Sequence, residues 1–488
     1  MIMNGPKQTS HLKREILVRL IKAFYTEDFA ENARLIPYQM RPKDYEAAYR
    51  CCVYKERAIL RDRTIAGLGL SIEETDESVH MAELANQALK REKPEESMLT
   101  VLQTACKGCV PSRFYVTDLC QGCVARPCIS TCRFGAISIK DGKSKIDTEK
   151  CKNCGMCAQV CPYQAIMKVI VPCENACPVG AIEKDDNGRT RIDFEKCISC
   201  GKCISACPFG AVHKKSQIID VLKHIKQGKK VIAMVAPSMF GQLPCSPEQL
   251  KSAILELGFS DVYEVAQGAD VTSKTEAAEF EERMENGEEF MTTSCCAAYN
   301  ELVEKHLPEI KPYRSTTHTP MYYTAEIVKK ENPDCISVFF SPCVAKRKEA
   351  LNDKNVDYVL NYDEIGAWFV AKGIKVEECE ASSFKTEASA EARNYAVTGG
   401  VANAVKTLLP DDIPAYPVTV DGLSKNSIRD LKKYAKNGVC ELGNLIEVMA
   451  CPGGCLGGSS TLNAYKPASK QLAKYVADSK PSKEIFDN

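Results

Sequence analysis

Three short cysteine stretches in the second half of the chain have the residue types and spacing for metal chemistry. They read Thr293-Ser294-Cys295-Cys296, Ser341-Pro342-Cys343-Val344-Ala345-Lys346 and Glu447-Val448-Met449-Ala450-Cys451-Pro452-Gly453-Gly454-Cys455. Together they offer a cysteine pair, a single cysteine and a C-x3-C, the last two just after strand-like apolar runs. Four soft thiolates brought to one point suit an iron–sulfur cube. A fifth thiol and a lysine are then left beside it. The glycines of Pro452-Gly453-Gly454 let backbone come close to a bulky inorganic centre.

Cysteine is the outlier of the composition, with 27 in 488 residues. Sixteen of them lie between Cys106 and Cys207, many as C-x2-C-x2-C-x3-C, which reads as metal ligation rather than as a disulfide framework. One phrase recurs there: Cys132-Arg-Phe-Gly-Ala-Ile, Cys161-Pro-Tyr-Gln-Ala-Ile, Cys177-Pro-Val-Gly-Ala-Ile and Cys207-Pro-Phe-Gly-Ala-Val. Spacings of 29, 16 and 30 make two ferredoxin-like units in tandem. In bacterial ferredoxins three cysteines of one motif hold one cluster and the fourth holds the other. On that rule Cys120, Cys123, Cys128 and Cys161 form one 4Fe–4S site. Cys151, Cys154, Cys157 and Cys132 form a second, and Cys197, Cys200, Cys203 and Cys177 a third. Cys173, Cys207, Cys106 and Cys109 are left over. They either close a fourth cluster, which the count of sixteen favours, or stay unliganded, since connectivity is not readable from spacing.

The three downstream stretches resemble the signature loops of iron–iron (FeFe) hydrogenases, from about Lys229 to Tyr465 and in the family's order. In that family a 4Fe–4S cube is joined through one cysteine sulfur to a two-iron unit carrying carbon monoxide, cyanide and a bridging dithiolate. The resemblance implies that Cys296, Cys343, Cys451 and Cys455 hold the cube, with Cys455 as the bridge. It implies that Cys295 passes protons, that Lys346 and the Pro237–Ser238 turn bind the cyanides, and that Met449 packs on the two-iron unit. Glu276, Glu279 and Arg283, spaced three and four apart, resemble the family's proton path, with the Thr319 hydroxyl between the two glutamates. The plain alternative is an exposed helix with one Glu279–Arg283 pair. Ala297, Ser341 and Ser459 depart from the family's usual proline, methionine and glycine, which marks a divergent subclass.

The implied activity is reversible reduction of protons to H2, with electrons from a ferredoxin or flavodoxin and a two-iron unit inserted by maturation proteins. The alternatives are a non-catalytic iron–sulfur assembly protein, which tends to lose the proton thiol and the lysine, and a redox sensor.

Such a site needs a scaffold. Apolar runs at 231–235, 261–265, 336–340, 395–398 and 445–449 alternate with helical stretches such as 216–227 and 275–285. This predicts an α/β domain of two lobes with mostly parallel sheets over 216–488. Tandem ferredoxin-like α+β units precede it at 101–167 and 168–215. Ahead of them, 1–100 reads as helical at 13–25, 44–62 and 81–90 and carries no chemistry. Equal totals of 64 basic and 64 acidic residues give no field for nucleic acid or an anionic membrane. No apolar run nears the roughly 20 residues of a membrane span, and Met1 to Gly5 has no leader pattern, so the expected location is the cytoplasm.

Overall fold

The computed structural model describes residues 8–46 and 49–486 of the chain; the leader reading at the start lies outside them. Four helices come first: α1 (Gln8–Phe24), α2 (Phe29–Met40), α3 (Val53–Gly67) and α4 (Met81–Lys90). The helix expected over 44–62 begins only at Val53, and residues 47 and 48 of that stretch lie outside the described part. Helix α2, which carries Pro37 inside it, has no counterpart in the sequence reading. Burial of Phe29, Ala33, Ile36 and Met40 on one face outweighs the proline, and the Asp28 side chain caps the first turn. Ile16, Leu20 and Phe24 of α1 share one hydrophobic core with Phe340 and Trp368, so the helical region is welded to the far half of the chain.

Strand β1 (Leu99–Val101) follows, then β2 (Arg113–Val116), β3 (Ile137–Lys140), β4 (Lys143–Ile146) and β5 (Ile166–Val169). β3 and β4 form a hairpin turned by Asp141-Gly142, both at positive φ, the backbone that a two-residue turn of this hand demands. β2 and β5 pair to complete the first unit. The second unit contains β6 (Ile182–Lys184), β7 (Thr190–Ile192) and β8 (Val212–Lys214). β8 pairs antiparallel with β1, not with a strand of its own segment. The unit expected at 168–215 therefore takes its edge strand from before the first unit. Cys106 and Cys109, just after β1, are tied to it by that pairing.

The last half holds two parallel sheets. One has the order β10-β9-β12-β13, from β9 (Val231–Val235), β10 (Asp261–Glu264), β12 (Ile336–Ser341) and β13 (Tyr358–Asn361). The other has the order β11-β15-β14, from β11 (Met291–Thr292), β14 (Pro417–Asp421) and β15 (Leu445–Met449). β9 and β15 are buried at every position, as central strands covered on both faces must be. The strand expected at 395–398 is instead a short 3-10 turn at Asn394–Ala396. Tyr395 is held there by its hydroxyl bond to Ser273, and the edge position of the second sheet belongs to β14.

A buried cation fastens the junction between the second unit and the first sheet. Arg347 is fully buried and donates to the carbonyls of Lys215 and Val359 and to the Glu364 carboxylate. Glu364 also accepts from Ser216 and from the backbone of Gln217 and Asn361. Arg347→Met leaves that carboxylate buried without its partner. The expected cost is about 3–5 kcal/mol, read as a lower denaturant midpoint of unfolding; an unchanged midpoint would show that the pair does not hold the junction.

Candidate functional site

Four loops leave the carboxyl ends of parallel strands and meet between the two sheets. Ala236-Pro237-Ser238 follows β9, Pro342-Cys343 follows β12, Thr293 to Cys296 follows β11, and Ala450 to Cys455 follows β15. Ligands of parallel sheets collect at this end. The loops enclose a cavity of about 90 Å³. Its wall is mainly apolar, with Ala236, Val265, Met321, Phe339 and Met449; Cys295, Cys296, Cys343, Cys455, Lys346 and Ser238 are among the polar exceptions.

Burial, with Cys296 as the nearest opposing sulfur, pushes the Cys343 thiol up to about 11. Burial, with Cys343 and Cys296 beside it, pushes Cys455 up to about 12. Cys451 is raised well above the ordinary thiol range by burial and by Cys343, Cys296 and Cys455. The Cys343, Cys451 and Cys455 thiols, crowded by one another and by Cys296, are poorly stabilised as thiolates alone. Around a cationic metal core the same four ionise and are held. Among the described residues no three His, Cys, Asp or Glu converge tightly enough for a single ion. Four cysteine sulfurs on loops from both sheets are the kind of donor set that a cube takes at its corners.

Of the residues expected around the cavity, Lys346, Pro237, Ser238 and Met449 line it, and Cys451 and Thr319 do not. Lys346 lines it, its ammonium donating to Thr319 Oγ1 at 2.9 Å and to Glu349 at 2.8 and 3.0 Å. Pro237 opens a 3-10 turn in which Ser238 bonds the Tyr362 hydroxyl. Met449 ends β15 and faces the cavity. Thr319 does not lie between the glutamates but donates to Glu349 and meets Lys346, because it caps the helix Pro320–Glu331 on the far side of the loop.

The hydroxyl between Glu276 and Glu279 is Ser315. Its backbone N–H donates to the Thr292 carbonyl at 2.8 Å, which aligns the loop beside β11. Ser315 Oγ donates to Glu279 Oε2 at 2.7 Å. Glu279 also accepts from Arg283 at 2.8 and 3.1 Å and from Thr316 and Thr317. Burial opposes ionisation of Glu279, and the bonds of Thr316, Ser315 and Arg283 outweigh it and hold the carboxyl below its usual range. Glu276 is fully buried, and that burial pushes it up to about 7. Its Oε1 accepts from the Ser294 N–H at 3.0 Å, and its Oε2 has no hydrogen-bond partner. Burial, then Glu447 and Glu276, pushes the Cys295 thiol well up, so it rests protonated. Ser315, Thr316 and Thr317 line a cleft of about 560 Å³ on the outer side. Glu279 thus holds three residues of that cleft, and Glu276, on the same helix, accepts from Ser294 next to Cys295 at the cavity.

The sixteen upstream cysteines repeat one geometry four times. The residue before the second cysteine is left-handed in the first C-x2-C of each motif: Gly108 at φ 57°, Gly122 at 59°, Asn153 at 53° and Ser199 at 53°. In each phrase the alanine four residues on donates its N–H to the cysteine sulfur. The distances are 3.4 Å at Cys132, 3.4 Å at Cys161, 3.2 Å at Cys177 and 3.4 Å at Cys207. Backbone amides turned onto sulfur suit thiolates that carry a cluster. Cys120, Cys123, Cys128 and Cys161 line one small cavity. Burial raises the Cys157 thiol, with Cys151 and Cys132 opposing its ionisation, and raises Cys203 well up, with Cys200, Cys197, Cys177 and Cys173 opposing it. Cys173 and Cys106 share Thr190 as a neighbour, and Cys109, Cys173 and Cys207 pack in one cluster of side chains.

The second unit abuts the site. Cys200 is among the sulfurs opposing ionisation of Cys451. A Cβ on Gly201 would meet Ser459 Oγ at 2.4 Å, so the glycine and the unusual serine are in direct approach.

Sequence reasoning passed over Ser315, Tyr395 and Glu447. Ser315 sits among Thr316, Thr317 and Thr319, and nothing in the sequence ranks four hydroxyls. Glu447 lies inside the third motif, where its carboxylate accepts from the N–H groups of Gly399 and Ala402 at a helix start. A buried acid inside an otherwise apolar strand was the available signal.

Residues 229–459 match the family described as iron only hydrogenase large subunit, C-terminal domain. Residues 172–211 match a 4Fe-4S dicluster domain and 144–167 a 4Fe-4S binding domain. The periplasmic [Fe] hydrogenase large subunit of Nitratidesulfovibrio vulgaris is 31% identical over 371 residues, covering 64% of this chain and 85% of that one. Iron hydrogenase 1 of Clostridium pasteurianum is 27% identical over 255 residues, 43% of this chain and 44% of its own length. The cytosolic Fe-S cluster assembly factor narfl of Xenopus tropicalis is 23% identical over 329 residues, 54% of this chain and 68% of its own. Among the described residues no helix is long and apolar enough to cross a membrane.

Proposed function

This chain belongs to the iron-only, or iron–iron (FeFe), hydrogenase family, and on that premise we propose that it interconverts two protons and two electrons with H2. The observation that carries the reading is the meeting of Cys296, Cys343 and Cys455 with Cys295 and Lys346 in one mainly apolar cavity, with Cys451 close enough to Cys343, Cys296 and Cys455 to feel their charge. Cys296, Cys343, Cys451 and Cys455 would hold a 4Fe–4S cube, and Lys346, Pro237, Ser238 and Met449 would surround a two-iron unit. When bound, that cofactor supplies the electron transfer and the hydrogen–hydrogen bond chemistry.

The chain's own part is to deliver protons and exclude water. Glu279 takes a proton at the outer cleft, steadied by Arg283. The Ser315 hydroxyl bridges toward Glu276, whose acidity near neutral matches a group that must both accept and give. Cys295 Sγ, the last group before the cofactor, hands the proton on. The apolar wall keeps competing water out.

Electrons would come from a small ferredoxin or flavodoxin in the cytoplasm, through the accessory clusters. The exposed Cys154 supports access at the first unit, and the nearness of Cys200 to Cys451 supports delivery from the second. The shared loop geometry supports a fourth accessory cluster on Cys106, Cys109, Cys173 and Cys207. Replacing Cys106 and Cys109 by serine should remove one cubane's worth of iron, about four atoms, and leave the other cluster spectra intact. Unchanged iron content would return them to ordinary thiols.

The assembly-factor likeness gives a second reading, in which the cube is present without the two-iron unit. Infrared spectra of anaerobically matured protein separate the two. Carbon monoxide and cyanide bands together with H2 evolution support the enzyme; their absence after full maturation favours assembly.

A further inference from the structure

The cationic groups of the helical N-terminal region converge on one place. Arg63 of α3 is 3% exposed and donates to the carbonyls of Gly210 at 3.0 Å and Phe209 at 3.1 Å. Its Nε has no hydrogen-bond partner. Arg50 donates to the carbonyl of Ala105 at 3.2 Å, and its guanidinium lies over the Phe209 ring. Lys13 of α1 donates to the carbonyl of Val212 at 3.2 Å. These carbonyls flank Cys106 on one side and Cys207 on the other. Asp62, the neighbouring acid, accepts from Thr104 and pairs with Arg61, and its pull on Arg63 is smaller than that of Cys207.

Main-chain carbonyls solvate a guanidinium but do not neutralise it, and an uncompensated buried charge is costly. Burial and Arg63 draw the Lys13 ammonium down to about 7, so the lasting charge is that of the two arginines. Arg63 faces Cys207, whose sulfur favours the guanidinium's charged state against burial. An anionic cluster on these thiolates would be the missing counter-charge.

We propose that the N-terminal helices form a cationic cap over the Cys106, Cys109, Cys173 and Cys207 cluster, in which Arg63 and Arg50 raise its reduction potential; this rests on the fourth-cluster reading above. Reduction adds one negative charge to a group that is already anionic. A fixed cation beside it therefore favours the reduced form, and burial limits the screening by water. The cap explains why helices without a reactive group of their own are packed against the second unit, and it makes this cluster easier to reduce than an uncapped one would be.

The test is a redox titration followed by electron paramagnetic resonance, on the full chain loaded with its 4Fe–4S clusters but without the two-iron unit. The signal lost in the Cys106→Ser, Cys109→Ser protein identifies the fourth cluster. In Arg63→Gln the reduced-to-oxidised ratio of that signal at a fixed potential should fall at least tenfold, which is about 59 mV for one electron. Arg63→Lys should retain most of the parent value, and the remaining signals should not move. Arg50→Gln, which gives up a single hydrogen bond, should move the same signal the same way and decides the matter if Arg63→Gln loses iron. An unmoved midpoint in Arg50→Gln, or in Arg63→Gln at full iron content, overturns the cap alone. If no signal is lost in the double serine variant, the fourth cluster is absent and the cap falls with it.

Discussion

Cys451→Ser and Cys343→Ser each purify without the cube and evolve no H2 above background, while the accessory clusters keep their spectra. The argument starts from the donor atoms. A thiolate is a soft ligand for iron, and a serine hydroxyl remains neutral and hard at any pH the protein tolerates. The pocket is dry, so water cannot enter to complete the coordination. Cys343 follows β12 and Cys451 follows β15, so each variant removes one sheet's contribution to a site that both sheets must grip. A two-iron unit held through the cube, as proposed, would go with it. The upstream sulfurs have their own backbone N–H partners at Cys132, Cys161, Cys177 and Cys207, and none of those depends on the cube. Iron analysis should fall by one cubane's worth. Full turnover in either variant would defeat the ligand assignment.

Much of the site is legible in the sequence because cluster ligation is local. A C-x2-C loop with a residue able to turn left-handed, and a Cys-Pro-x-Gly turn, carry their geometry in a handful of residues. Gly108, Gly122, Asn153 and Ser199 adopt nearly the same φ although only two are glycine. The strands that end at Cys343 and Cys451 are legible for a related reason, since continuous β-branched and aromatic runs have few other uses. Thr319 and Ser315 mark the limit. Three neighbouring hydroxyls meet Glu279, and the placing of Ser315 among them depends on its backbone bond to Thr292, a contact between segments more than twenty residues apart. The same limit hides the β1–β8 pairing, which joins residues on either side of an entire inserted unit. It also hides the cap, because Arg63 and Gly210 lie 147 residues apart. Tertiary burial decided α2, where a stripe of apolar residues overrides Pro37.

Cys295→Ala assembles both metal units and loses hydrogen turnover by about a hundred- to ten-thousandfold, the usual worth of a positioned acid–base group. Cys296, not Cys295, is the proposed ligand, so no coordinating sulfur is lost and the infrared bands should be normal. What is lost is the last group between the buried carboxyls and the cavity. Glu276 Oε2 has no partner and Glu447 is tied to the N–H groups of Gly399 and Ala402, so neither is placed to take over at the cavity wall. Glu276→Gln is the companion. Its amide oxygen can still accept from the Ser294 N–H, which preserves the loop, but the side chain no longer carries a proton. It should therefore show the same intact bands and a comparable loss. The parent's turnover should change with pH around 7, where Glu276 exchanges its proton, and the glutamine variant should lack that inflection. Cys295→Asp restores part of the rate, because a carboxyl can also accept and donate at that position. Undiminished turnover in Cys295→Ala, with bands present, would break the thread at its final step. Protons would then have to arrive by the Lys346, Thr319 and Glu349 cluster, which reaches the same cavity from the outer cleft.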